Sequence, residues 1–202
     1  LQITSCLVNP RACHETEIVI SPTETPKSIA VVGAGPAGLA FATTAAERGH
    51  AVTLFDADDK IGGQFNIAKQ VPGKEEFYET LRYFGRRLEQ TDVTLKLNTR
   101  VTASDLTGFD EVVLATGISP RTPDIPGVDG PNVLGYLDVL RDKKPVGERV
   151  AIIGAGGIGF DVAEYLVHEG TSPSQDLDRF NDEWGVDPPY ATAGGLKPAT
   201  PH

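Results

Sequence analysis

Residues 28–38 read SIAVVGAGPAG, and residues 150–159 read VAIIGAGGIG. Each stretch begins with β-branched and apolar residues that predict a buried strand. Each strand leads into the glycine pattern GxGxxG and then into an apolar segment that predicts a helix. One such pattern is a weak signal. Two of them in the same strand–turn–helix context predict an α/β protein with two nucleotide-binding units of the Rossmann-like, doubly wound kind.

The first glycine pattern is accompanied by an acidic residue at the expected distance. Gly33, Gly35 and Gly38 remove β-carbons where the backbone must turn, approach a pyrophosphate and pack a helix on a strand. The start of the following helix offers unpaired N–H groups and a partial positive charge to phosphates. Asp56 ends the next predicted strand, residues 51–55. Its carboxylate is therefore suited to accept hydrogen bonds from an adenosine ribose.

Two further clues lie outside the glycine patterns. The adjacent glycines Gly62 and Gly63 would let the backbone pass close to a ligand, with the amide of Gln64 beside it. The pair Thr116-Gly117 follows the apolar strand predicted over residues 111–115, at an edge where ligands bind in such sheets. Both clues are also typical of ordinary turns, so the residues alone leave the two interpretations open.

Composition and charge exclude several classes of protein. The chain has 202 residues and a formal net charge of −10, which argues against a nucleic-acid surface because phosphate binding needs a positive field. No apolar run approaches the length of a membrane span. The two cysteines, Cys6 and Cys13, do not make a disulfide scaffold. We therefore expect a cytoplasmic protein with neither nucleic-acid nor membrane partners.

Several longer stretches resemble one family of flavoenzymes, the bacterial NADPH-dependent 2,4-dienoyl-CoA reductases. The resemblance covers essentially the whole chain and is specific, because most of these stretches lie outside the glycine patterns. They are TSCLVNPRACHE at residues 4–15, IGGQFNIAK at 61–69, PGKEEF at 72–77, YLDVL at 136–140 and NDEWG at 181–185.

The resemblance implies a fold, a set of cofactors and a partner. It implies a two-dinucleotide flavoprotein fold, with FAD on the first unit and NADPH on the second. In the family, electrons pass from NADPH to FAD, through a 4Fe-4S cluster to FMN, and then to 2,4-dienoyl-CoA in fatty acid β-oxidation. The FMN and the thioester belong to an N-terminal barrel domain, which is the expected partner of this chain.

The resemblance also implies site residues, none of them catalytic. Two of these assignments rest on the resemblance alone: Lys74 near the FAD phosphates, and the Val101 backbone at the edge of the adenine. The implied FAD site comprises Gly33, Gly35, Pro36, Ala37, Gly38, Asp56, Gly63, Gln64, Lys74, Val101, Thr116 and Gly117. The implied NADPH site comprises Gly154, Gly156, Gly157 and Gly159.

Cys6 matches the fourth ligand of the iron–sulfur cluster in the family. Such a cluster needs four thiolates, and the other three would lie upstream. We therefore expect that this chain alone does not hold the cluster.

The expected organisation is a lead-in over residues 1–26, an FAD-binding domain over 27–143 and an incomplete start of an NADPH-binding domain over 144–202. After residue 170 no strand-like run follows, although a nucleotide-binding unit needs its second strand. The position that would discriminate NADP from NAD falls near Asp178 and Arg179, outside any predicted strand. The preference for NADPH is therefore implied by the resemblance only, and the isolated chain is expected to be inactive.

Two alternatives stay open. One is a related cluster-containing flavoprotein, such as an amine dehydrogenase or an enoate reductase. The other is a scaffold that binds ADP or another nucleotide without redox chemistry. The second glycine pattern favours a working NADPH-binding half, because a scaffold does not need it.

Overall fold

A computed structural model describes Thr4, Cys6, Asn9 and residues 11–197 of the chain. These residues form two compact units. The first unit comprises Leu1–Asn66 and Phe77–Val128, and the second comprises Ile67–Glu76 and Asp129–His202. The units are defined by packing, and the domain boundaries expected from the sequence stay predictions.

The first unit is built on a four-stranded parallel sheet. Its strands are β1 (Ser28–Val32), β2 (Ala51–Phe55), β3 (Thr94–Lys96) and β4 (Glu111–Leu114), in the order β3-β2-β1-β4. The parallel pairing confirms the predicted fold class, and it brings the carboxyl ends of all four strands to one edge. Ligands bind at that edge in sheets of this kind.

Six α-helices connect and cover the described parts of the two units. Short 3₁₀ helices cover Ala103–Leu106, Pro173–Gln175 and Ala193–Gly195. Within the described residues, none of the helices combines the length and apolar character needed to cross a bilayer. The α-helices are α1 (Pro36–Glu47), α2 (Phe65–Ala68), α3 (Glu76–Gln90), α4 (Tyr136–Leu140), α5 (Gly157–Val167) and α6 (Leu177–Glu183).

The core of the first unit lies between β1, β2 and helix α1. Val31, Leu39 and Leu54 are its largest fully buried side chains. Each buried leucine contributes about 1.5–3 kcal/mol of transfer free energy. Phe84 and Leu88 of α3 belong to the same buried cluster, as the helical spacing of apolar residues in this segment predicts.

The amino-terminal edge of the sheet is fixed by polar contacts between β1 and the start of β4. The backbone N–H and hydroxyl of Ser28 donate to Asp110 Oδ2 at 2.7 and 2.9 Å. These two hydrogen bonds hold the pKa of Asp110 below its ordinary value. Lys27 and Glu111 add an ion pair at 2.6 Å. The register of the two strands is thereby held from the end opposite the ligand edge.

The second unit has a smaller apolar core and no sheet among the described residues. Val71, Val139, Leu140 and Val162 form its buried cluster. Residues 150–153, predicted as a strand, do not form one. A strand requires a neighbour to complete its hydrogen bonds, and in the described part of this unit the β-pairing is limited to the isolated bridge between Val186 and Leu196.

The segment 171–197 is more ordered than its polar, proline-rich composition suggests. Helix α6 lies within it, and the antiparallel bridge from Val186 to Leu196 closes a loop. Inside this loop, the N–H and hydroxyl of Thr192 donate to Asp187 Oδ2 at 2.9 and 3.0 Å. Asp187 is buried, and its own N–H donates to the Gly195 carbonyl at 2.8 Å. A carboxylate therefore organises the loop in place of an apolar core.

We predict that this loop loosens in acid. The two hydrogen bonds from Thr192 hold the pKa of Asp187 below its ordinary value of 3.8. The stabilisation is therefore present above that value and is lost as the pH falls through the folded pKa. In an NMR titration, the Asp187 carboxyl carbon and the Thr192 amide proton should share one midpoint below 3.8.

Asp129 provides the matched control, because it is an exposed carboxylate in the same unit. Asp187→Asn should reduce the hydrogen-exchange protection of the Thr192 amide, whereas Asp129→Asn should not. An Asp187 midpoint at or above the ordinary value of 3.8 would contradict the prediction.

Candidate functional site

The first glycine loop joins β1 to α1 through two positions where a side chain does not fit. Gly33 has a φ of +109°, and a β-carbon there would overlap the carbonyl oxygen of Ala115. A β-carbon at Gly38 would overlap the carbonyl oxygen of Gly33. Helix α1 therefore begins directly against the turn, next to the end of β4.

The middle glycine of this loop faces open space. Gly35 has φ −74° and ψ −179°, and a β-carbon there would meet nothing within 4 Å. Gly35 is also the N-cap of α1, which has no side-chain cap and no acidic residue in its first turn. The N-terminus of α1 thus has uncapped N–H groups, and there is open space next to Gly35. The loop fits a pyrophosphate such as that of FAD.

Asp56 ties the end of β2 to the glycine loop. Its Oδ2 accepts a hydrogen bond from the Ala34 N–H at 2.5 Å, and its Oδ1 accepts one from the Asp58 N–H at 2.8 Å. Asp56 is half-buried. Each carboxylate oxygen keeps a further lone pair for a donor such as a ribose hydroxyl.

The other predicted FAD-site segments converge on the same loop. The Gly62 N–H donates to the Ala34 carbonyl at 2.8 Å. A β-carbon at Gly63 would lie 3.2 Å from the Gly35 α-carbon, and Gly63 itself has a φ of +49°. The Thr99 N–H donates to the Asp56 carbonyl at 2.8 Å. The segments around Gly62 and Thr99 are therefore bonded to the glycine loop and to the end of β2.

The structure brings part of the predicted FAD site into direct contact, and several of the other residues lie close to these in the sequence. Gln64 follows Gly63, Val101 lies shortly after Thr99, and Gly117 follows Thr116 with a φ of +72°. Pro36 and Ala37 form the start of α1. The residues that meet at the loop are Gly33, Gly35, Gly38, Asp56, Gly63 and Thr116.

The second glycine loop repeats the geometry of the first. Gly154 has a φ of +115°, and a β-carbon at Gly159 would overlap the Gly154 carbonyl oxygen. Gly156 has φ −90° and ψ −178°, faces open space and begins α5 without a side-chain cap. Gly157 is the first residue of α5 and is equally open. This loop fits a second dinucleotide pyrophosphate, although no paired strand precedes it.

Lys74 lies in the second unit and pairs with an acid that the sequence did not suggest. Its Nζ lies 2.7 and 2.6 Å from the two carboxylate oxygens of Asp161 on α5. Both side chains are partly exposed. The pair holds segment 67–76 against the helix of the second glycine loop. The predicted contact of Lys74 with the FAD phosphates stays a prediction.

A second set of unpredicted contacts, all hydrogen bonds, also holds segment 67–76 in place. Ser174 Oγ donates to Glu75 Oε2 at 2.6 Å, and the Gly73 N–H donates to Ser172 Oγ at 3.3 Å. Burial raises the pKa of Glu75, but hydrogen bonds from Ser174, from its own backbone, and from Ser172 and Gly73 outweigh that effect. The pKa therefore lies below its ordinary value, and the carboxylate keeps its charge.

Asp178 and Arg179, near the expected cofactor-discriminating position, lie in α6 and not on a strand. The Arg179 guanidinium donates to the carbonyl of Thr171, and to that of Glu169 at 3.4 Å. Asp178 is exposed in the first turn of α6. Arg179 thus satisfies carbonyl groups that follow α5 in the chain, and these residues give no basis for choosing between NADP and NAD.

Cys6, the predicted cluster ligand, is exposed, and its Sγ accepts a hydrogen bond from the Asn9 N–H at 3.4 Å. Among the residues that the structure describes, no three His, Cys, Asp or Glu side chains are placed to share a metal ion. The described residues therefore offer two exposed thiols, those of Cys6 and Cys13, and do not form a complete ligand set for an iron–sulfur cluster.

Comparison with known proteins agrees with the fold. The family model described as pyridine nucleotide-disulphide oxidoreductase matches residues 27–174. A solved structure of a 2-naphthoyl-CoA reductase in complex with 2-naphthoyl-CoA is 37% identical, with a TM-score of 0.77. That match covers 80% of this chain and 25% of the reductase.

Two curated relatives are also reductases. A metal reductase from Desulforamulus reducens is 37% identical over 179 residues, covering 86% of this chain and 27% of the relative. A cinnamate reductase from Clostridium sporogenes is 38% identical over 169 residues, covering 82% of this chain and 25% of the relative. The chain thus spans about a quarter of the length of these relatives. Because the family model matches most of its residues, the chain belongs to the pyridine nucleotide-disulphide oxidoreductase family.

Proposed function

We propose that this chain is the electron-input portion of a flavin-dependent reductase, in which NADPH reduces FAD. One observation carries the proposal: a single chain holds two glycine loops of the same geometry, each with an open middle glycine and an uncapped helix behind it. A scaffold that only holds ADP needs one such loop, whereas hydride transfer between dinucleotides needs two.

The residues of the first loop would bind and orient the flavin. Gly35 leaves room for the pyrophosphate, and the N-terminus of α1 offsets its negative charge. The carboxylate of Asp56, already held by two backbone N–H groups, would accept hydrogen bonds from the ribose. When bound, FAD supplies an isoalloxazine ring that accepts a hydride and passes electrons on.

The residues of the second loop would bind the nicotinamide nucleotide. Gly156 leaves the same room, and α5 offers the same uncapped N-terminus. Lys74 would hold α5 in place through its ion pair with Asp161. The choice of NADPH over NADH rests on the resemblance of the sequence to the dienoyl-CoA reductases.

The names of two of the relatives support an unsaturated acyl substrate for the longer protein. Cinnamate and 2-naphthoyl-CoA both carry a conjugated carbonyl, and the relatives are named as their reductases. Within this class we infer 2,4-dienoyl-CoA in fatty acid β-oxidation, from the stretches described above. The thioester and FMN would bind an N-terminal barrel, with Cys6 as one ligand of a 4Fe-4S cluster. The 202-residue chain alone should therefore not reduce the thioester.

Alanine at the middle glycines tests the two loops separately. Gly35 and Gly156 have ordinary negative φ values and open surroundings, so Gly35→Ala and Gly156→Ala should leave the fold intact. The added methyl group should instead block the approach of phosphates. We expect Gly35→Ala to weaken FAD binding, and Gly156→Ala to keep FAD but to slow its reduction by NADPH. The measurements, made on the longer protein, are the FAD content and the loss of flavin absorption at about 450 nm when NADPH is added without oxygen.

Gly147→Ala is the matched control, because this glycine is also open and belongs to the second unit. It should change neither flavin content nor its rate of reduction. Unaltered reduction of bound FAD in Gly156→Ala would count against the second loop as the nucleotide site.

Asp56→Asn should weaken FAD binding. The substitution replaces a charged acceptor by an amide, which loses the charge-assisted hydrogen bond to a ribose hydroxyl, worth about 1.5–3 kcal/mol. That loss corresponds to roughly a tenfold or larger increase in the Kd for FAD, measured by flavin fluorescence. Asp59→Asn, a nearby exposed carboxylate, should leave the Kd unchanged. Equal affinities of the two variants for FAD would show that Asp56 does not contribute to the FAD site.

Cys6→Ser tests the cluster in the longer protein. A serine hydroxyl is a poor ligand for iron at neutral pH, so the iron content should fall. NADPH should still reduce FAD, while reduction of 2,4-dienoyl-CoA should stop. The variant should be compared with Cys13→Ser, which changes an exposed cysteine with no predicted ligand role. Normal iron content in Cys6→Ser would show that Cys6 is not a ligand.

A further inference from the structure

A shallow pocket of about 190 Å³ lies within the second unit, outside the glycine loop. Helix α5 contributes one wall and helix α6 contributes another. The segment between these helices and the segment 72–73 contribute the remainder. The lining residues are Pro72, Gly73, Glu164, Ser172, Pro173, Ser174, Phe180, Glu183 and Trp184.

The pocket carries two carboxylates and no basic side chain. Glu164 and Glu183 form no ion pair or side-chain hydrogen bond with any residue in the described part of the chain. Two lysines of this unit form ion pairs with other acidic residues, Lys74 with Asp161 and Lys197 with Asp182. Within the described residues, no cationic side chain therefore competes with a ligand for these two carboxylates.

Two aromatic rings stand next to these carboxylates. Phe180 lies on α6 and Trp184 is the C-cap of this helix, with ring centroids 6.0 Å apart and planes tilted by 33°. Trp184 is 63% exposed and Phe180 is 40% exposed, so both rings are accessible to a ligand. An aromatic face attracts a cation, and a planar guanidinium also stacks on it.

The polar groups at the base of the pocket are already satisfied by each other. Ser172 Oγ and Ser174 Oγ lie 2.8 Å apart, and Ser174 donates to Glu75. The Gly73 N–H donates to Ser172. These groups therefore have few hydrogen bonds left to offer a ligand. Recognition of a ligand rests on the aromatic rings and the two glutamates.

We propose that this pocket binds the guanidinium group of an arginine side chain presented by a partner protein. The combination of an aromatic face with flanking carboxylates matches a planar cation that has several N–H donors. A pocket of about 190 Å³ is smaller than the roughly 300–1,000 Å³ typical of whole small-molecule ligands. It suits the end of a side chain. None of the lining residues belongs to either glycine loop, so the pocket does not overlap the proposed pyrophosphate sites.

The chain provides its own reporter, because Trp184 is its only tryptophan. A ¹H–¹⁵N spectrum of the 202-residue chain should show one indole signal. We expect N-acetyl-arginine amide to shift this signal saturably. N-acetyl-citrulline amide, which has the same shape and no charge, should not. Glu164→Gln and Glu183→Gln should each weaken the binding of the arginine probe about fivefold, the size of a favourable surface ion pair.

Glu169→Gln is the matched control, since Glu169 is exposed, follows α5 and lies outside the pocket lining. It should bind the arginine probe like the unaltered chain. The backbone signals of all variants must superpose on those of the unaltered chain, which separates loss of the site from loss of the fold.

Three results would overturn the proposal. The first is an indole signal that does not move with N-acetyl-arginine amide. The second is an equal shift with N-acetyl-citrulline amide, which would show that charge plays no part. The third is equal binding of tetramethylammonium or N-acetyl-lysine amide, which would show a general cation site without preference for arginine.

Discussion

The lack of room for a side chain at Gly38 is the constraint on which the first unit depends. Helix α1 starts so close to the Gly33 carbonyl that a single β-carbon would force the two apart. This close approach fixes where the helix N-terminus points, which is toward the carboxyl edge of the sheet. The turn at Gly62 and the carboxylate of Asp56 are then hydrogen-bonded to the Ala34 backbone in the same loop. The second unit uses the same constraint between Gly154 and Gly159.

Local requirements made much of the fold predictable. The bounds of β1 and β2 follow from short β-branched runs that end at a glycine or an acid. The spacing of Phe84 and Leu88 predicts the buried face of α3. The glycine loops were predictable for the same reason, since a turn with positive φ and a close helix contact demand glycine within a few residues of sequence.

The parts that escaped prediction depend on distant partners. Residues 150–153 have the composition of a strand, but a strand is completed by a neighbour, which composition alone does not reveal. The ion pair of Lys74 with Asp161 joins residues 87 apart, and the hydrogen bond of Ser174 to Glu75 joins residues 99 apart. No local pattern marks such pairs. The loop closed by Val186 and Leu196 escaped because its order comes from a buried carboxylate, whereas apolar periodicity is the usual signal.

Segment 67–76 has a consequence for the order in which the protein folds during synthesis. Its Val71 side chain is buried with Val139, Leu140 and Val162, which leave the ribosome long after it. All four strands of the first unit are made before those three residues. The strands of the sheet are thus able to pair before the neighbours of Val71 exist. During this time Val71 is an exposed apolar side chain in a loop. Val71 therefore stays without its packing partners until residues 129–162 have been synthesised, and transiently exposed apolar surface of this kind favours aggregation.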